Sequence, residues 1–122
     1  MDDRAELGRA GEKGAARFLR GKGYRIVTRN YRCPCGEIDL IALDDKVVVF
    51  VEVKTRRAAD HADPEQNVTP AKQQRITRSA EFFLRQTGSD DRLCRFDIIA
   101  ITLSDAKKMD IEHFMDAFSL SG

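Results

Sequence analysis

The sequence has 122 residues, enough for one folded domain with a core that needs no disulfide or metal staples. Its apolar and charged fractions are those of a globular protein and exclude a disordered chain. A net charge of +1 announces no nucleic-acid partner, yet every charged residue between Lys13 and Gly36 is basic, as a solvated helix face or a phosphate-tracking surface would be.

The stretch from Asp2 to Lys22 reads as an amphipathic helix, with Leu7, Gly11, Ala15, Phe18 and Leu19 near helical spacing. Its glycines and alanines lower helix propensity but let a helix lie close against a sheet, and Gly23 ends it. Tyr24 to Tyr31 alternates and is rich in strand formers. Cys33-Pro34-Cys35-Gly36 is a turn, Glu37 to Leu43 a second strand and Asp44-Asp45-Lys46 a hairpin turn. Val47 to Lys54 is a third strand, apolar enough for burial on both faces.

Thr55 to Val68 has no period and reads as a mobile loop containing His61. Thr69 as N-cap, Pro70 at the first helical position and Gly88 past the end bracket a second helix, with Ile76, Ala80, Phe83, Leu84 and Thr87 facing inward. The segment from Arg92 to Leu103 predicts a buried strand entering the sheet parallel to the third. The run from Ile111 through His113, Phe114 and Met115 to Phe118 predicts a short last strand. The fold expected is α/β, one domain over 1–122, with a mixed central sheet flanked by helices in the order α-β-β-β-α-β and a final short strand.

The polar N-terminus lacks the order of a secretory signal, and no apolar run could span a bilayer, so a cytoplasmic protein with no membrane partner is expected. Three cysteines, Cys33, Cys35 and Cys94, predict free thiols rather than a disulfide framework. His61 and His113 lack metal-ligand spacing and are read as non-catalytic. Arg95 and Asp97 share a strand face and can pair with each other.

Strand alternation puts Glu52 and Lys54 on one face at the end of the apolar third strand, where an unpaired carboxylate is costly. Glu37, Asp39 and Ile41 share a face of the preceding strand, and hairpin pairing brings Asp39 toward Glu52. Glu12 lies on the helix face of Gly8, Ala15, Ala16 and Leu19, the side expected to approach the sheet. Taken singly, each is an ordinary surface acid or ion pair. Converging carboxylates instead ask for Mg²⁺ or Mn²⁺, hard ions that prefer oxygen ligands. With Lys54 beside such an ion to position water or stabilise the transition state, phosphodiester hydrolysis is the natural reaction.

Gly11-Glu12, Arg29-Asn30-Tyr31-Arg32, Gly36-Glu37-Ile38-Asp39-Leu40-Ile41-Ala42 and Val49-Phe50-Val51-Glu52-Val53-Lys54-Thr55-Arg56 together resemble the YraN family of small uncharacterised bacterial proteins. That family is similar to archaeal Holliday-junction resolvases and to the restriction-endonuclease-like PD-(D/E)xK superfamily. The resemblance implies a restriction-endonuclease-like fold, with Asp39 and Glu52 as metal ligands and the Val53 carbonyl as a third. It gives Lys54 the role of catalytic lysine and makes Glu12 the helix acid that completes the site. It further implies branched or structured DNA as substrate, a homodimer, and repair or recombination proteins as partners. Arg29, Arg32, Arg56 and Arg57 are expected to track phosphates, with Lys72 a weaker candidate for that role and Gln73 another. The alternative function is a nucleic-acid-binding module that keeps the acids but cuts nothing.

Overall fold

The computed structural model describes residues 3–60, 68–106 and 108–119. Helix α1 (Asp3–Gly21) is followed by strands β1 (Arg25–Cys33), β2 (Gly36–Asp44) and β3 (Val47–Arg57) and a single 3-10 turn, Ala58–Asp60. Helix α2 (Pro70–Gln86), β4 (Cys94–Leu103) and β5 (Met109–Phe118) complete the order α-β-β-β-α-β-β. The five strands lie in sequence order across one sheet, antiparallel throughout except for the β3–β4 pair, which is parallel and is joined through α2. This is the mixed three-layer α/β architecture expected, with the last strand present.

Each helix end has a local cause. Gly23 adopts φ 92, and Tyr24 N–H returns to the Leu19 carbonyl at 2.9 Å, closing α1 as a glycine-dependent cap. Thr69 accepts the Lys72 N–H at 3.2 Å, while Pro70 starts α2 where its missing N–H costs nothing.

Apolar side chains on the two sheet faces make two cores. Under α2, Val48, Phe50, Phe96 and Ile98 meet Ile76, Phe83 and Leu84. Under α1, Val49, Val51, Ile99 and Ile101 meet Ala15, Ala16 and Leu19. The central β3 and β4 are thus buried on both faces, as their unbroken apolar runs require.

Two expectations change, at the end of β3 and at the end of α2. Thr55, Arg56 and Arg57 extend β3, paired with Ile101, Thr102 and Leu103, because β4 offers ladder hydrogen bonds that outweigh a weak local pattern. Only 61–67 of the expected loop, including His61, lies outside the described residues, as does the helix start at Asp2. Thr87 is exposed, not inward, since it is the C-cap of α2 and its hydroxyl donates to the Phe83 carbonyl at 2.8 Å.

Candidate functional site

Where the β2–β3 ladder ends, the acids begin. The last paired residues are Leu40 and Val51, so Asp39 and Glu52 come immediately after the strands stop exchanging ladder bonds. Instead, Asp39 Oδ2 accepts the Val53 N–H at 2.8 Å, a carboxylate taking the place of a strand carbonyl. Ile38 and Ile41 both lie under α2 while Leu40 and Ala42 lie under α1, so the alternation of β2 slips at Asp39. Asn30, between the residues paired with Ile38 and Leu40, takes φ 53 at the same point of β1. The expected common face for Glu37, Asp39 and Ile41 is therefore broken. Glu37 is exposed and pairs with Arg32 at 3.6 Å, although it still contributes to the rim of the cleft.

Glu52 and Lys54 do share a face, the one turned to α2 with Phe50. Glu52 is 8 % exposed, and its Oε1 lies 2.8 Å from Lys72 Nζ and 4.0 Å from Lys54 Nζ. Lys72 sits in the first turn of α2, one turn before buried Ile76, so the helix aims its amine at the end of β3. From the opposite layer comes Glu12, half-buried on α1. Gly11 makes that approach feasible, because a methyl group there would run into the Thr55 side chain.

These residues line one cleft of about 530 Å³ together with Gly8, Val53, Thr55 and Arg56. Burial, the Glu52 charge and, more weakly, Glu12 push the Asp39 carboxyl from 3.8 up to about 7, against the opposing effects of the Val53 hydrogen bond and Lys72. Burial and the adjacent Lys72 lower the Lys54 amine, outweighing Glu52 and Asp39. Burial would lower Lys72 too, but its hydrogen bond and attraction to Glu52 prevail and raise it. Among the described residues no three His, Cys, Asp or Glu side chains are grouped so as to hold a metal ion as they stand, and Glu52 is turned to Lys72.

A family model described as uncharacterised protein family UPF0102 matches residues 11–101, a span that contains every one of these cleft acids and lysines. The chain belongs to the UPF0102 family. This is the YraN family that the sequence resembles. It is 46 % identical over 123 residues to a UPF0102 protein of Geotalea uraniireducens, covering 98 % of this chain and 97 % of that one. It is 48 % identical over 118 residues to one of Prosthecochloris aestuarii, covering 93 % of each. A third, of Symbiobacterium thermophilum, is 52 % identical over 95 residues, 78 % of this chain and 80 % of the relative.

Of the basic residues singled out in this UPF0102 chain, Arg56 and Lys72 reach the cleft. Arg29 and Arg32 are exposed on β1 and do not line it; Arg57 borders a separate hollow with Glu6, Leu103 and Asp105. Gln73 is spent on the Val68 carbonyl at 2.8 Å. The spacing of Lys72 from Ile76 put it on the inward side of α2, although a surface position was favoured for it, and the structure turns it into the cleft. No helix among the described residues is long and apolar enough to cross a membrane.

A second polar cluster, away from the cleft, was only partly foreseen. Arg95 pairs with Asp97 at 2.9 Å, as their shared face suggested, and reaches Asp44 at 3.1 Å and the Tyr24 hydroxyl at 2.7 Å. His113 Nε2 is 2.7 Å from Asp97 Oδ2, and the Asp116 N–H donates to Asp97 Oδ1 at 3.0 Å. Hydrogen bonds from His113, Arg95 and Asp116 overcome burial and hold Asp97 below the usual carboxylate range. This network ties β5, at the point where its register shifts, to the rest of the sheet.

Proposed function

We propose that this cleft is the active site of a Mg²⁺- or Mn²⁺-dependent endonuclease acting on branched or structured DNA. The observation that carries the reading is that Glu12, Asp39, Glu52 and Lys54 line one cleft where the β2–β3 ladder ends. Burial and, after it, the Glu52 and Glu12 charges raise the Asp39 carboxyl to about 7 although two lysines stand nearby, so a cation there would relieve the repulsion between the acids. Carboxylate oxygens are the donors available, which suits a hard divalent cation. Asp39 and Glu52 would hold it with the Val53 carbonyl, and Glu12 would complete the negative wall. Such an ion supplies charge neutralisation at a phosphate oxygen and a more acidic bound water.

The chain's own residues supply the rest. Lys54, its amine lowered by burial and Lys72, is suited to exchange a proton near the reacting phosphate and to orient the attacking water. Lys72, once released from Glu52, offers a second cation to the phosphate. Arg56 Nε is buried and has no hydrogen-bond partner among the described residues, a donor suited to a backbone phosphate oxygen. Preference for branched DNA rests on the resemblance to junction resolvases.

A second reading is favoured by the 2.8 Å Lys72–Glu52 pair, which already compensates one acid from within. On that reading the protein binds nucleic acid without cutting it. Linear, flapped and four-way DNA incubated with Mg²⁺ or Mn²⁺ decides between them. Cleavage by wild type that is lost in Glu52→Gln and Lys54→Ala, with DNA binding retained, supports the nuclease. Binding without cleavage of any of these substrates supports the second reading.

A further inference from the structure

Along α1 the cleft does not end at Glu12. Leu7 belongs both to its lining and to that of a hollow of about 460 Å³ that α1 forms with Arg57, Leu103 and the β4–β5 connection. Ala10 and Met109 belong both to that hollow and to a third, of about 420 Å³, between α1 and the edge strand β5. The three make one groove that runs from the end of β3 along α1. Its far floor is apolar, for Phe18, Met109 and Ile111 are only half-buried there. Gly14 leaves room for the Met109 side chain, whose sulfur a methyl group at that position would meet at 2.6 Å.

The rim is a run of cations. Arg9, Lys13, Arg17 and Arg20 are all exposed and recur every three or four residues, so they form one stripe on α1. Lys13 and Arg17 line the far hollow directly. Like charges at this spacing repel and cost the helix stability, and among the described residues no acid pairs with any of the four. Glu6 and Asp105 edge the middle hollow beside Arg57, whereas the far hollow has no acid in its lining. Asp110 and Glu112 alternate with Met109 and Ile111 and so lie on the other face of β5.

We propose that this groove holds a single-stranded DNA segment continuous with the strand in the cleft, its phosphates on the α1 stripe and its bases on the apolar floor. Arg9, Lys13 and Arg17 stand about 6 Å apart along the helix axis, close to the spacing of successive phosphates in an extended strand. Unpaired bases can stack on Phe18 and pack against Met109 and Ile111, a contact that a duplex, with its base faces already stacked, does not offer. The preferred substrate is then a duplex that carries a single-stranded arm. That the arm leads into a cutting site rests on the proposed nuclease; that the groove binds it does not.

Fluorescence anisotropy of a labelled oligothymidine strand, in EDTA so that nothing is cut, measures groove binding by the full chain. The strand is expected to bind more tightly than its duplex with oligoadenine. Lys13→Glu with Arg17→Glu is expected to weaken strand binding at least about tenfold and to flatten its salt dependence. Arg78→Glu with Arg85→Glu makes the same change in net charge on the exposed face of α2, in the opposite layer. At physiological salt, where charges are screened beyond about 8 Å, this second pair is expected to leave the affinity within about threefold of wild type. In wild type, a bound strand containing 5-iodouracil is expected to crosslink on irradiation to Phe18, Met109 or Ile111. Equal losses in the two pairs, duplex bound as tightly as single strand, or crosslinks confined to other elements would each overturn the proposal. Absent strand binding in a protein that still cuts DNA with Mn²⁺ removes the groove and leaves the nuclease, while groove binding without cutting does the reverse.

Discussion

Asp39 turns cation binding into a pH-dependent quantity. Its carboxyl has been raised to about 7 by burial and by the Glu52 and Glu12 charges, so a cation must displace a proton to use it. Half-protonation near pH 7 cuts apparent affinity about elevenfold at pH 6 but by only about a tenth at pH 8, a difference of about tenfold. At a fixed excess of Mn²⁺ that is about 1.4 kcal/mol of linked stability, or about 5 °C in Tm for a chain of this size. Thermal unfolding with and without Mn²⁺ at the two pH values measures it. The Mn²⁺-induced rise in Tm is expected to be larger at the higher pH by about that amount and to shrink in Asp39→Asn. Without metal the sign reverses. A carboxyl whose folded value lies above its unfolded value contributes stability below about pH 4, and that contribution is lost as pH rises through about 7. The ceiling is about 4 kcal/mol, so metal-free Asp39→Asn is expected to be more stable than wild type above neutrality. Equal Mn²⁺ effects at both pH values, or an unchanged effect in the variant, would refute this reasoning.

Lys72→Ala leaves the buried Glu52 without its 2.8 Å partner, so it is expected to cost about 2 kcal/mol in urea unfolding without metal and to recover on adding Mn²⁺. Gly11→Ala forces α1 away from Thr55 and is expected to cost about 1–3 kcal/mol in the same measurement, with weaker Mn²⁺ stabilisation because Glu12 retreats with the helix. Asp97→Asn strips the buried charge from Arg95 and His113 and is expected to destabilise by about 3–5 kcal/mol. Because folding depresses the Asp97 carboxyl, its contribution is present above the ordinary carboxylate value and lost as pH falls through the folded one. The Asp97→Asn deficit in chemical denaturation should therefore narrow on acidification below about pH 4.

The layered sheet was legible because its signals were local and mutually consistent. Thr69-Pro70 marked the start of α2, Gly23 the end of α1, and the valines of β3 its double burial. Thr55 to Arg57 were misjudged because they are strand only by virtue of pairing with β4, a partner more than forty residues away. The acids could be gathered from the sequence because helical spacing turned Glu12 toward the sheet and the short β2–β3 hairpin brought Asp39 near Glu52. How Asp39 is held was not legible, since the slip in β2 and the hydrogen bond to Val53 arise where two strands part. Lys72 was undervalued because a lone lysine at the margin of an apolar face looks like solvent-facing polarity until an acid from a distant strand is found opposite it, here Glu52. His113, read as non-catalytic, pairs with Asp97 away from the cleft.

The most direct test is an anomalous-scattering crystal structure grown with Mn²⁺ above neutral pH. The account predicts a peak bonded to Asp39 and Glu52, with Lys72 swung away from the Glu52 carboxylate. Crystals that contain Mn²⁺ yet keep the Lys72–Glu52 pair intact, with no peak between the acids, would contradict it.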